Sequence, residues 1–202
     1  MNLNIPYMET DNKLLNDAYR IAAGDIVGNI VYYQNGLLTE EKPCMIAGLD
    51  YNTPWTRDTA INIWNALSIL SPEVSKNTLL AVLEEEEGNI YIGGQYWDSI
   101  IWMIGAREYC RFHKDDNFYR LAFEAGRNSV HRLEEGEFDE EDGLFRGPAV
   151  YGDGIAAYPD KYSKCPNQGS GILEWVDYPG NPVYPKGYGI PMKALSTNCV
   201  YF

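Results

Sequence analysis

Trp55, Thr56, Arg57 and Asp58 stand together where a loop containing Pro43, Gly48 and Pro54 gives way to an apolar helical repeat. A guanidinium beside a carboxylate offers a fork of donors next to an acceptor, a pattern that suits the neighbouring hydroxyls of a sugar. An indole adds a flat apolar face on which a sugar ring can stack. The same pair also has a purely structural reading, in which Asp58 favours the helix N-terminus and pairs with Arg57. One hairpin later, Gly93-Gly94-Gln95-Tyr96-Trp97-Asp98 again runs from a loop into a helix. Gln95, Trp97 and Asp98 are therefore candidates for the same pocket, with an N-cap as the alternative role for Asp98. A third polar and aromatic stretch runs from Asp142 through Tyr151 and Asp153 to Tyr158-Pro159.

These segments need a scaffold. Asp11 reads as the cap of a first helix through Leu14, Leu15, Ala18, Tyr19, Ala22, Ile26 and Ile30, ending near Asn35-Gly36, with a loop over 37–54. A second helix is predicted from about Thr56 to Leu70, on Ile61, Trp64, Leu67 and Ile69. Ser71 as N-cap and Pro72 at the first helical position start a third, which carries Val74, Leu79, Leu80, Val82 and Leu83 and finishes in the acids Glu84 to Glu87. Ile90 to Gly94 is a short extended piece ending in a turn. A fourth helix follows over about Trp97 to Phe112, and a fifth, capped by Asp115 or Asp116, runs through Phe118 and Leu133. From Glu135 to Pro191 helical periodicity disappears and Gly, Pro, Tyr and Asp dominate; loops of that length inside a compact domain are usually functional. Pro191 to Asn198 opens another helix. Alternating short and long connections place the elaborate loops on one face.

The Trp55-Thr56-Arg57-Asp58 element resembles the W-x-R-D motif of glucoamylase-like and related six-hairpin glycosidases, at the loop into the second barrel helix. The stretch Asp142-Gly143-Leu144-Phe145-Arg146-Gly147 onward to Asp153 and Tyr158-Pro159 resembles the G-L-x-x-G…D…Y-P segment of bacterial six-hairpin sugar hydrolases. Lys193 to Asn198 is similar to the helix start that follows it. The resemblance covers about residues 45 to 202 and implies an all-α fold: an (α/α) toroid of helical hairpins, here a partial (α/α)6 barrel with short strands and long loops on one face, forming a single domain over 1–202. It implies that Arg57 and Asp58 hold the sugar, with Trp55 lining the pocket. It places the general acid on Asp153, which must stay protonated in a partly dry pocket walled by residues such as Tyr151. Asp139, Glu140, Glu141 and Asp142 are rivals, but four consecutive acids more often form a solvated turn. Inversion needs two carboxylates roughly 6.5–9.5 Å apart, and in the resembling families the base comes from the second half of the barrel. The implied activity is an inverting glycoside hydrolase acting on an α-linked oligosaccharide; the alternative is a non-catalytic carbohydrate-binding or assembly fragment. A half barrel would expose an apolar inner face, so a copy of the chain or a missing C-terminal half is expected to cover it.

Composition bounds the other readings. The formal net charge of -13 makes phosphate backbones and anionic lipid poor partners and leaves a neutral oligosaccharide unopposed. Sixteen Tyr and five Trp fit stacking on sugars as well as they fit a large core. Four dispersed cysteines and two histidines have no zinc-ligand spacing, so neither metal nor cofactor is expected; Cys110 reads as a buried thiol, His113 as a helix-end residue and His131 as part of a charged face. The segment Met1–Asp11 lacks a basic region followed by an apolar run, which makes a cytoplasmic location the expectation.

Overall fold

The computed structural model describes residues 5–48, 50–94, 98–146 and 193–202. Helices dominate these residues, joined by short two-stranded antiparallel hairpins. Helix α1 spans Lys13–Gly28 and is capped by Asn12, whose side chain accepts from the Leu15 amide, one residue later than the expected Asp11 cap. It also stops earlier than expected. The chain turns at Asn29 into β1 (Ile30–Tyr33), which pairs with β2 (Lys42–Met45) drawn from the segment expected to be loop. Ile30-Val31-Tyr32-Tyr33 is β-branched and aromatic, and that preference overrides the helical spacing that Ile30 seemed to continue. Gly36 belongs to the turn after β1. Its φ of 60° and the carbonyls of Leu80 and Leu83, each 2.6 Å from where a Cβ would sit, both require glycine.

Helix α2 (Thr56–Asn62) passes through a π-helical turn at Ile63–Leu67 into the short α3 (Ser68–Leu70). The expected helix over 56–70 is present, but of Ile61, Trp64, Leu67 and Ile69 only Leu67 is buried. Thr56, Thr59, Ala60, Ile63 and Leu67 are buried, whereas Trp64 and Ile69 are exposed. The reason is close packing. A Cβ added to Gly105 of the facing helix would lie 2.8 Å from Ala60 Cα, so small residues, not large ones, form that contact.

Ser71 caps α4 (Pro72–Ala81) through its hydroxyl to the Val74 amide, with Pro72 in the first turn, as the sequence predicts. The acids that follow are not a helix end. Leu83–Glu86 is strand β3, paired with β4 (Asn89–Ile92) across Glu87 (φ 52°) and Gly88 (φ 80°). A two-residue turn with both central φ positive matches the twist of a hairpin. Next come α5 (Asp98–Phe112), α6 (Asp116–Glu137, capped by Asp115), the hairpin β5 (Phe138–Asp139) with β6 (Leu144–Phe145), and α7 (Leu195–Tyr201).

The main core joins α4, α5, α6 and the strands. Trp102 is fully buried, donates to the Leu79 carbonyl at 3.3 Å and lies against Phe118, with Leu79, Leu83, Val74 and Ala125 around it. Burying each such large side chain contributes roughly 1.5–3 kcal/mol. A second cluster of Ala60, Ile100, Ile101 and Phe145 ties α2 and α5 to the last hairpin. Among the described residues, no helix is long and apolar enough to cross a membrane.

Candidate functional site

Two of the chemistry-bearing loops converge on the start of α2. Pro54 is buried and Trp55 extended, and the Trp55 carbonyl accepts from the Thr59 amide at 2.8 Å to open the helix. That start projects Thr56 and Arg57 toward the loop preceding α5. The Thr56 hydroxyl donates to the Gly93 carbonyl at 2.8 Å, and Gly93 in turn donates to the Val82 carbonyl at 2.9 Å. Gly94 then takes a φ of 118°. A Cβ there would sit 2.5 Å from Asp98 Oδ2 and 2.6 Å from Thr56 Oγ1, so only glycine lets the loop settle between the two helix starts.

Across this seam Arg57 Nη1 donates to Asp98 Oδ1 at 2.7 Å. The two side chains are only 13% and 4% exposed, so the pair is held with little access to water. A charged hydrogen bond between buried partners fixes the direction of the guanidinium fork, and its remaining N–H groups keep a defined orientation. The Trp55 ring lies beside it, with the Arg57 guanidinium carbon 5.8 Å from the ring centroid and Tyr51 edge-on at 6.2 Å. The Trp55 indole N–H is enclosed and has no acceptor among the described residues. Asp58 sits half-buried in the first turn of α2. Trp55, Arg57, Asp58 and Asp98 thus fall within one locus. Gln95, Trp97, Tyr151 and Asp153 lie outside the described residues.

A second polar cluster closes the last hairpin. Lys193 binds Asp139 at 2.7 Å and also Asp142, which draws two of the four consecutive acids into ion pairs; Glu140 and Glu141 stay exposed in the turn. The hydrogen bond from Lys193, then that from the Glu141 amide, holds the Asp139 carboxyl below its usual range. Asn198 accepts from the Phe145 amide at 2.8 Å and donates to the Phe145 carbonyl at 3.2 Å, pairing with the β6 backbone as a neighbouring strand would. Reading the sequence by motif missed this role of Asn198; a lone amide one turn into a short helix carries no local signal for it.

His113, His131, Cys44 and Cys110 are held by neighbouring backbone, surface charges or apolar packing. His113 Nε2 lies 2.6 Å from the Ser68 carbonyl at the end of α5, and His131 faces Glu134 and Glu135 on the surface of α6. Cys44 is buried and its thiol is pushed up to about 12 by burial. Cys110 is half-buried, not fully buried as expected, with burial also raising it. Among the described residues no group of three His, Cys, Asp or Glu side chains is placed to hold a metal ion. No protein-family model, curated protein or solved structure matches the chain.

Proposed function

We propose that the chain is the sugar-binding part of an inverting glycoside hydrolase of the (α/α) toroid type, acting on a neutral α-linked oligosaccharide. The observation that supports this is the Arg57–Asp98 pair, set beside the Trp55 ring where two loop-into-helix segments meet. An oriented guanidinium with an adjacent aromatic face is a suitable floor for a sugar: the ring stacks while two hydroxyls meet the fork. In this reading Arg57, Asp58 and Asp98 bind or orient the sugar, and Gln95, Trp97 and Tyr151 complete the pocket. Asp153 protonates the leaving oxygen, and a base from outside this chain activates the water on the opposite face. The partner in solution is then a second half of the barrel or a copy of the chain.

A second reading, carbohydrate binding without hydrolysis, is served by the same locus: a stacking ring, a guanidinium fork and a carboxylate already paired to it bind a sugar without any proton donor. Both readings meet one experiment. Titration with α-linked glucose oligomers by calorimetry is run beside turnover of nitrophenyl α-glycosides, on wild type, Arg57→Ala and Asp153→Asn. Hydrolysis predicts binding lost in Arg57→Ala and turnover lost in Asp153→Asn with binding retained. Binding without turnover in wild type, even with azide added as a nucleophile that needs no base, selects the second reading. Absence of binding in wild type rejects both.

A further inference from the structure

We infer that Thr56, the unspecified position of the W-x-R-D pattern, is a positioning residue: its hydroxyl ties down the loop before α5 so that Asp98 meets Arg57. The inference rests on the reading that Arg57 binds the sugar. Gly93 is pinned through both halves of its backbone. Its amide donates to the Val82 carbonyl at 2.9 Å, just outside the ends of the β3–β4 hairpin, and its carbonyl accepts from Thr56 Oγ1 at 2.8 Å. The first bond belongs to the hairpin; the second crosses from the hairpin to α2. Thr56 is 3% exposed and Gly93 is buried, so without the hydroxyl a buried carbonyl loses its partner. The bond does nothing for the helix that carries Thr56. Trp55, at the cap position of α2, makes no side-chain cap, and threonine, a residue suited to that role, stands one place later and donates to a partner 37 residues away.

From Gly93 the tie reaches the ion pair in one step. A Cβ on Gly94 would lie 2.6 Å from Thr56 Oγ1 and 2.5 Å from Asp98 Oδ2, so hydroxyl and carboxylate close on the same point from α2 and α5. The other oxygen of that carboxylate, Oδ1, accepts from Arg57 Nη1 at 2.7 Å. Thr56 and Arg57 are consecutive. One turn of α2 therefore grips the opposite side of the seam twice, once through a backbone carbonyl and once through a charge. A guanidinium on a flexible stem takes its direction from its partner. That partner takes its place from where the loop before it is fastened. Thr56 thus fixes where Asp98 stands, and Asp98 fixes where Arg57 points. Serine could make the same bond; valine has the shape without the donor.

Two measurements on the full chain test this: the order of the Arg57 Nε–H by NMR relaxation, and the dissociation constant for an α-linked glucose oligomer by calorimetry. Both are made at a temperature where circular dichroism shows every variant folded. Thr56→Val and, separately, Thr56→Ala are expected to lower the Arg57 order parameter from about 0.85 to about 0.6 or below. They should raise the dissociation constant about tenfold to a hundredfold, the effect of a misplaced binding group. Thr56→Ser keeps the donor and should restore both readouts. Thr78→Val removes another buried hydroxyl, which accepts from the Met45 amide and donates to the Val74 carbonyl in the core; it should lower stability and move neither readout. Wild-type order at Arg57 in Thr56→Val overturns the inference. So does failure of Thr56→Ser to restore it, an equal loss of order in Thr78→Val, or unchanged affinity in Thr56→Val when wild type binds. A wild type that binds no oligomer sinks the sugar reading instead, and the order of Arg57 then decides the role of Thr56 alone.

Discussion

Around Trp102 and around Arg57 the chain solves the same problem, joining α5 to its neighbours, by opposite means. Trp102 packs among Leu79, Leu83 and Phe118 with one hydrogen bond to a carbonyl, and Phe118 meets Tyr109 edge-on at 4.9 Å. Nothing there depends on charge. At the other end of α5, the contact with α2 is made of small residues, a strained glycine and a buried ion pair. The first arrangement gains stability from apolar area. The second gains little, because desolvating two charges costs about as much as their attraction returns. What it does provide is direction: Arg57 cannot swing away from Asp98 without breaking a hydrogen bond between two buried charges. A region that is costly in stability yet geometrically defined is the better place for a binding site.

This contrast is open to attack by mutation, the largest effect first. Trp102→Ala should cost about 3–5 kcal/mol through a cavity that the surrounding helices cannot fill, read as a lowered denaturant midpoint with unchanged slope. Asp98→Ala should cost about 3 kcal/mol by removing a buried ion-pair partner of Arg57, while Arg57→Met/Asp98→Leu together should return to within about 1 kcal/mol of wild type. If the double variant is as unstable as the single, the seam contributes stability as the core does, and the contrast fails. Asp115→Ala should cost about 1–2 kcal/mol at pH 7, since it removes the cap of α6. The Asp115 carboxyl is held below its usual value of 3.8, first by the hydrogen bond from Lys76 and then by that from the Phe118 amide. A depressed folded value means that its contribution is complete above the unfolded value and is lost as pH falls through the folded one. The gap between Asp115→Ala and wild type should therefore shrink in thermal melts taken at about pH 2 relative to pH 7.

The same contrast explains what could be read in the sequence. Helix starts were legible at Ser71 with Pro72 and at Asp115 before Phe118, where a side chain caps backbone within three residues, and were missed by one residue at Asn12, which Asp11 precedes. Strands were legible only where apolar residues gather, as in Ile90-Tyr91-Ile92. β3 was hidden because Glu84, Glu85 and Glu86 show no alternation, and the one local clue was Gly88 between two short runs. The two candidate loops could be placed on one face from their spacing. Their actual link, Arg57 to Asp98 across 41 residues, could not, because each residue has a satisfactory local role at its own helix start.

Asn198 and Lys193 return the chain to Phe145 and Asp139, so the two ends of the segment between them are tied together by described contacts. Ties that span 53 and 54 residues of sequence work as a clasp: they hold α7 against the hairpin of β5 and β6, so a change at Asn198 is felt at Phe145 and one at Lys193 is felt at Asp139.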